Sequence, residues 1–250
     1  SEGSRNMKKQ LGVLLLGCIL AIGSFTAVQA ADAPTSIKAD VIEYNTKTGI
    51  TTAKGNVVIS QQDGQATAAA AEYNTKNKTG KLTGGVVATK DDARITCDTL
   101  VLHDENHTTA IGNAAMKKQD KTLRAAQVEY YKDRNFMETV GSWGELAMDD
   151  GSVLTAGYIN YDGRVGYATA ENNVQIVSNA RNLTAAADKA TYDTNNQGTI
   201  ELTGNATATQ NGNTISGNQL RIINENNTSE ASGNVKMVYI PKEKPAVNNG

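Results

Sequence analysis

Proline is nearly missing from this chain, with three residues in 250. Avoiding it leaves backbone N–H groups free for ladder hydrogen bonds, which suits β-sheet. Cysteine is almost as rare, with Cys18 and Cys97 the two present. If a leader carrying Cys18 is removed, Cys97 has no intrachain partner, so a disulfide-stapled fold is excluded. Positive charge is not in excess either. Without Arg5, Lys8, Lys9 and Glu2 of the first 30 residues, 21 Lys and Arg stand against 25 Asp and Glu, a formal charge of −4. Phosphate recognition needs a basic stripe, so nucleic acid is not an expected partner. No stretch after the leader sustains a helical apolar period.

The long apolar run lies near the start, in "MKKQLGVLLLGCILAIGSFTAVQA" (7–30). Two lysines, an apolar segment and Val28-Gln29-Ala30 have the order of an export signal, predicting a leader over Met7–Ala30 and cleavage before Ala31. Residues 1–6 fall outside that pattern. Leu15-Leu16-Gly17-Cys18 resembles a lipobox, but the apolar run continues past Cys18, so lipid anchoring there is not expected. The tail 241–250 is polar and reads as a disordered end. The expected working part is one domain over 31–240.

What is present is a repeat. The segments "IKADVIEY" (37–44), "ATAAAAEY" (66–73), "ITCDTLVL" (95–102), "LRAAQVEY" (123–130), "LTAGYINY" (154–161), "AAADKATY" (185–192) and "ISGNQLRI" (215–222) align without gaps. Their third column holds Ala39, Ala68, Cys97, Ala125, Ala156, Ala187 and Gly217, at separations of 29, 29, 28, 31, 31 and 30. Cys97 therefore reads as a small packing residue and not as a reactive thiol. The last column is Tyr44, Tyr73, Leu102, Tyr130, Tyr161, Tyr192 and Ile222.

Each leading strand is followed by turn residues such as "NTKTG" (45–49), then by a return strand that passes a Gly-Asn pair, as in "AKGNVVISQQDG" (53–64). Seven two-strand repeats of about 30 residues predict an all-β stack. With one strand of each repeat in each of two layers, the body would be roughly 34 Å long and 33 Å across. Apolar parity changes within each leading strand, from Ile37 and Ala39 to Ile42 and Tyr44, which predicts a bend or bulge. The Gly-Asn pair supplies the matching corner in the return strand.

Chemistry is sparse. His103 and His107 in "HDENH" flank a turn. Zinc there would need a third ligand such as Asp104 or Glu105, and the pair reads as solvated turn, with no metal expected. Asp91-Asp92 and Asp149-Asp150-Gly151 read as turn tips with at most weak calcium affinity. There is no phosphate loop, no G-x-S-x-G elbow and no recurring carboxylate pair, so neither catalytic residues nor cofactors are expected. Trp143 in "VGSWGEL" reads as a buried strand aromatic.

The run "IKADVIEYNTKTGITTAKGNVVISQQDG" (37–64) resembles the first repeat of the OstA-like, or LptA-like, proteins of lipopolysaccharide transport. Shared features are the export signal, the Ile-x-Ala-Asp start and the Thr-x-x-Gly-Asn-Val-x-Ile/Val strand. The resemblance is strongest over 37–90 and returns in 182–239. It implies an open, twisted β-jellyroll in the periplasm whose apolar interior shelters lipopolysaccharide acyl chains. It also implies inner-membrane and outer-membrane transport components as partners, and head-to-tail stacking through unpaired edges. The interior columns expected to meet lipid are Ile37, Ile42, Tyr44, Val57, Ile59, Tyr73, Val86, Ile95, Leu102, Tyr130, Tyr161, Tyr192, Leu202, Ile222, Val235 and Met237. The alternative is an exported parallel β-solenoid, an adhesin or surface scaffold, and strand direction discriminates the two.

Overall fold

A computed structural model describes residues 35–61, 64–90, 93–104, 106–118, 121–193, 199–223 and 228–241. The leader, its cleavage site, Cys18 and most of the polar tail lie outside the described residues, as do Asp91, Asp92 and Glu105. Among the described residues no helix is long and apolar enough to cross a membrane.

The strands are β1 (Thr35–Lys38), β2 (Val41–Asn45), β3 (Ile50–Gln61), β4 (Gly64–Asn74), β5 (Thr79–Lys90), β6 (Ala93–Leu102), β7 (His107–Lys118), β8 (Lys121–Tyr131), β9 (Phe136–Met148), β10 (Val153–Ala156), β11 (Tyr158–Asp162), β12 (Tyr167–Ser178), β13 (Leu183–Asp193), β14 (Thr199–Gln210), β15 (Asn213–Ile223), β16 (Thr228–Ser232) and β17 (Lys236–Val238). They form one sheet in which each long strand pairs antiparallel with the strands before and after it. β1 and β2 lie end to end along β3, β10 and β11 along β9 and β12, and β16 and β17 along β15. Merging these three broken pairs turns seventeen strands into fourteen rungs, two for each of the seven repeats. A parallel solenoid is excluded by strand direction.

The layers differ from the sequence expectation. A repeat does not place one strand in each layer; every long strand bends and contributes a leg to both. The register shows this as a jump at one level across the sheet, between Lys54 and Val57, Thr83 and Val86, Ile111 and Ala114, Glu171 and Val174, and Thr203 and Ala206. On the leading strands the buried parity changes at the same level: Ile95 and Cys97 are buried before it, Leu100 and Leu102 after it. Because all fourteen rungs stack in one direction, the sheet is roughly 65 Å long, about twice the expected length. Each leg of about five residues reaches only about 17 Å.

The bend has a side-chain cause. Gly55 and Asn56 both have positive φ, +77° and +49°, a pair of left-handed residues that inserts one extra residue into the ladder. A Cβ on Gly55 would stand 2.3 Å from Asp40 Oδ2. Asp40 of the preceding rung lies over that glycine, donates its N–H to the Gly55 carbonyl (2.8 Å) and accepts from Asn56 Nδ2 (3.0 Å). The arrangement recurs at Asp188, Gly204 and Asn205, with Asn205 Nδ2 donating to Asp188 Oδ2 at 3.1 Å, and at Asn218, Gly233 and Asn234. Where the acid becomes Ala69 or Ala126, the asparagine is also lost, and the corners read Gly84-Gly85 and Gly141-Ser142. At the fifth repeat the roles swap, with Gly157 on the leading side facing Asn172. The corner is thus a two-residue device that changes in both halves together.

Side-chain size follows distance from the corner. The column at the vertex is small, with Ala68, Cys97, Ala125, Ala156 and Ala187 at 8, 5, 0, 5 and 5 % exposure. Three residues further along the leading strands come Leu100, Val128, Ile159 and Leu220, and two further Leu102, Tyr130, Tyr192 and Ile222. Two converging legs leave least room at the vertex, so the interior is packed as a wedge. Burial pushes the Cys97 thiol up to about 11, matching its packing role. On the outer face, opposite charges sit directly across the ladder as Arg124–Glu145, Glu171–Lys189 and Glu201–Arg221, each at 3.0 Å. They are exposed and contribute little stability.

Trp143 is not buried; it is 45 % exposed. β9 carries Gly141, Ser142 and Trp143 opposite the single Ala126, so the extra residues loop out at the corner and carry the indole to the outside.

The corner can be tested with two glycines that share positive φ. Alanine in that region costs about 1–2 kcal/mol wherever it is placed. Gly151→Ala has nothing within 4 Å of the new Cβ, whereas Gly204→Ala meets Asp188 Oδ2 at 2.4 Å. Gly204→Ala is expected to lose roughly 1 kcal/mol more and to melt about 2–4 °C below Gly151→Ala. Equal melting temperatures by circular dichroism would remove the corner contact from the account.

Candidate functional site

The two legs share one apolar interior, and one core cluster joins residues of both, such as Ile95 and Leu123 with Leu100, Val128 and Leu220. Toward the N-terminal end this interior opens as an apolar cleft of about 200 Å³. Ile37, Ile59 and Ala66 line it from one leg, and Leu82, Leu100, Leu102, Ala71 and Tyr73 from the other. Glu72 and Thr75 are among its polar residues. A smaller opening of about 50 Å³ recurs further along the stack, between Leu146 and Leu154 on one side and Ile159, Tyr192 and Ile200 on the other.

The structure divides the expected interior columns into three groups. Val57, Val86, Ile95, Leu102, Tyr130, Tyr192, Leu202 and Ile222 are buried, between 0 and 7 % exposed. Ile59, Tyr73 and Tyr161 are partly buried, and Ile59 packs on the core. Ile37, Ile42, Tyr44, Val235 and Met237 are not enclosed, at 36, 46, 60, 53 and 62 % exposure. Their position on the end rungs is the reason. Ile37 pairs with Ile59, Ile42 with Ala53 and Met237 with Ile215, so each shares a face with a core residue, but among the described residues no further rung covers it. Val235 lies in the break between β16 and β17.

Several interior residues escaped the sequence reading. Leu100, Val128, Ile159 and Leu220 occupy the column of Ile42, two residues before the tyrosine column, and that spacing was a usable signal. Leu82 and Leu146 lie on return strands, where the bulge obscures the alternation.

Tyrosine hydroxyls bring polar atoms into the apolar wall. The Tyr130 hydroxyl is buried with no hydrogen-bond partner among the described residues, and burial pushes its phenol up. Such an orphan costs about 1–3 kcal/mol unless it is satisfied.

The turn residues behave differently from the interior. Asp104 Oδ1 accepts the Asn106 and His107 N–H groups at 2.7 and 2.8 Å, so it shapes the turn and is not turned toward the imidazoles as a third ligand. Asp149 pairs with Lys117 at 3.1 Å, and Asp150 Oδ1 accepts the Ser152 N–H at 2.8 Å. The carboxylate that does approach the histidines is Glu129, on β8, with Oε2 2.6 Å from His107 Nε2. Burial pushes this carboxyl up, but hydrogen bonds from Thr109, His107 and Gln127 outweigh it and hold the group below the usual range.

A bent antiparallel ladder whose two legs enclose one apolar interior, opening as a cleft toward the N-terminal end, defines an open β-jellyroll. Residues 65–228 match the profile of the LptA/(LptD N-terminal domain) LPS transport proteins, and the chain belongs to that family. Among solved structures it is similar to LptH from Pseudomonas aeruginosa, described as the LptA homologous periplasmic component of the conserved lipopolysaccharide transport device. The two share 14 % identity, the match covers 83 % of this chain and 96 % of that one, and the TM-score is 0.23. A comparison with curated proteins gives no match.

Replacing Tyr130 by Phe removes the orphan hydroxyl and keeps the ring. The melting temperature of the ligand-free protein is expected to stay level or rise by up to about 4 °C. A fall of several degrees would mean that the hydroxyl is bonded and the wall is apolar throughout.

Proposed function

We propose that this protein is a non-enzymatic carrier of lipopolysaccharide in the periplasm, acting as one domain over residues 31–240. Acyl chains lie in the apolar interior while the saccharide and phosphates stay in water. The observation that carries this reading is the cleft between the legs, lined by Ile59, Leu82, Leu100 and Leu102, in a chain of a lipopolysaccharide-transport family. Transfer of apolar surface from water drives the binding, and no bond is made or broken. The orphan Tyr130 hydroxyl supports the same reading, since an ester, amide or hydroxyl of the ligand could satisfy it.

The exposed end rungs support a second element of the proposal. Among the described residues, β1 and β2 at one end and β16 and β17 at the other pair with a strand on one side only, beside apolar side chains. Edges of this kind accept another strand, whether from a second copy or from the membrane-bound transport components. A head-to-tail contact that does not close builds a bridge of successive jellyrolls, with one interior continued into the next. The same contact would cover Ile42, Tyr44 and Met237.

The interior is tested by photocrosslinking in cells. Crosslinkers at Leu82 and Leu102 are expected to capture lipopolysaccharide, and one at the exposed Lys81 is not. Ile59→Glu should reduce capture at Leu102 by at least about tenfold, the effect of a charge left unpaired in an apolar wall. Equal capture at Lys81 and Leu102 would defeat the proposal. The edges are tested separately: lysine at both Ile42 and Tyr44 should leave the purified protein monomeric by light scattering at concentrations where the parent assembles. An unchanged mass distribution would rule out this edge as the contact.

A further inference from the structure

The chain has two histidines, and the fold sets both beside one carboxylate. His103 follows β6 and His107 opens β7. The His103 N–H donates to the His107 carbonyl at 2.9 Å, and the two rings stack with centroids 4.2 Å apart. Glu129 stands opposite Thr109 in the β7–β8 register, which brings its Oε2 to 2.6 Å from His107 Nε2 and 2.5 Å from the Thr109 hydroxyl that donates to it. His103 Nε2 is 2.7 Å from the same hydroxyl. One ligand atom from each of His103, His107 and Glu129 lies within 4.8 Å of the other two.

We propose that His103, His107 and Glu129 form a site for a divalent transition metal of the zinc class. Two imidazoles and one carboxylate suit zinc or its neighbours and do not suit calcium or magnesium, which take oxygen ligands. Groups that would hold the carboxylate and one imidazole in place surround the site. Gln127 Nε2 donates to the second Glu129 oxygen at 2.8 Å, and Tyr131 stacks on His107 at 4.5 Å with the Arg134 guanidinium 4.2 Å over the tyrosine ring. Glu129 and His107 are 13 and 27 % exposed, which limits their freedom, while the more exposed His103 can swing inward. Its movement draws the three atoms to the roughly 3.3 Å separations of a tetrahedral ion bound at about 2.0–2.1 Å, with water in the fourth position. The ion takes the place of the His107–Glu129 hydrogen bond, and binding ties three successive rungs together at one turn.

The test uses the full chain without a histidine tag and zinc chloride as the probe, followed by calorimetry, with cobalt as a visible-absorbance reporter. One zinc per chain is expected, with a rise in melting temperature. His103→Ala and Glu129→Gln should each weaken binding by about tenfold or more, as loss of a ligand requires, and Asp149→Asn should leave it unchanged. His103 is exposed, so its variant is expected to fold as the parent does, checked by its melting temperature without metal. Absence of saturable binding, or equal affinity in the parent and His103→Ala, would overturn the proposal.

Discussion

The structure depends on the corner that bends its long strands, set at several repeats by an acid lying over a glycine. Asp40 over Gly55, and Asp188 over Gly204, occupy the space that a Cβ would need, while the following asparagine ties the acid down. Two left-handed residues in succession are costly for any residue but glycine, asparagine and aspartate. Here the cost is offset by a hydrogen bond to the next rung and by the apolar area that the bend encloses. Without it the ladder would be a flat sheet with one wet and one dry face. With it, each strand supplies both walls of an interior.

The wedge follows from the corner. Small residues stand at the vertex because the legs are closest there, and leucine and tyrosine stand further out because the gap widens. Among the described residues, an interior built this way has no closing strand. Its ends are rungs that lack a neighbour, which explains why Ile42, Tyr44 and Met237 carry interior-type side chains yet stand in solvent. The same open construction leaves an edge rung at each end of the described sheet.

The outer face has a separate logic. Cross-strand charge pairs repeat along it without adding much stability, and they keep a long sheet soluble. The His103–His107–Glu129 group is unlike them: it is partly buried, hydrogen-bonded through Thr109 and Gln127, and drawn from three rungs. Sequence spacing pointed at Asp104 or Glu105 as the nearest acid. The acid that arrives is 22 residues beyond His107, because antiparallel neighbours bring distant positions together while a turn acid is used by its own turn.

By itself the sequence determined the seven repeats, the all-β class, the small column that holds Cys97 and the presence of a corner at Gly-Asn, since these are carried by periodicity and local backbone preference. The parity change in the leading strands also told that they bend. Tertiary structure alone decided that both strands of a repeat bend at one level, that the rungs therefore number fourteen in a single ladder, and that the walls are legs and not whole strands. It alone decided which apolar columns are enclosed, because enclosure depends on a neighbouring rung and the end rungs have none. Trp143 is outside for the same kind of reason. Its strand carries two residues more than the partner at the corner, and the excess has nowhere to go but outward.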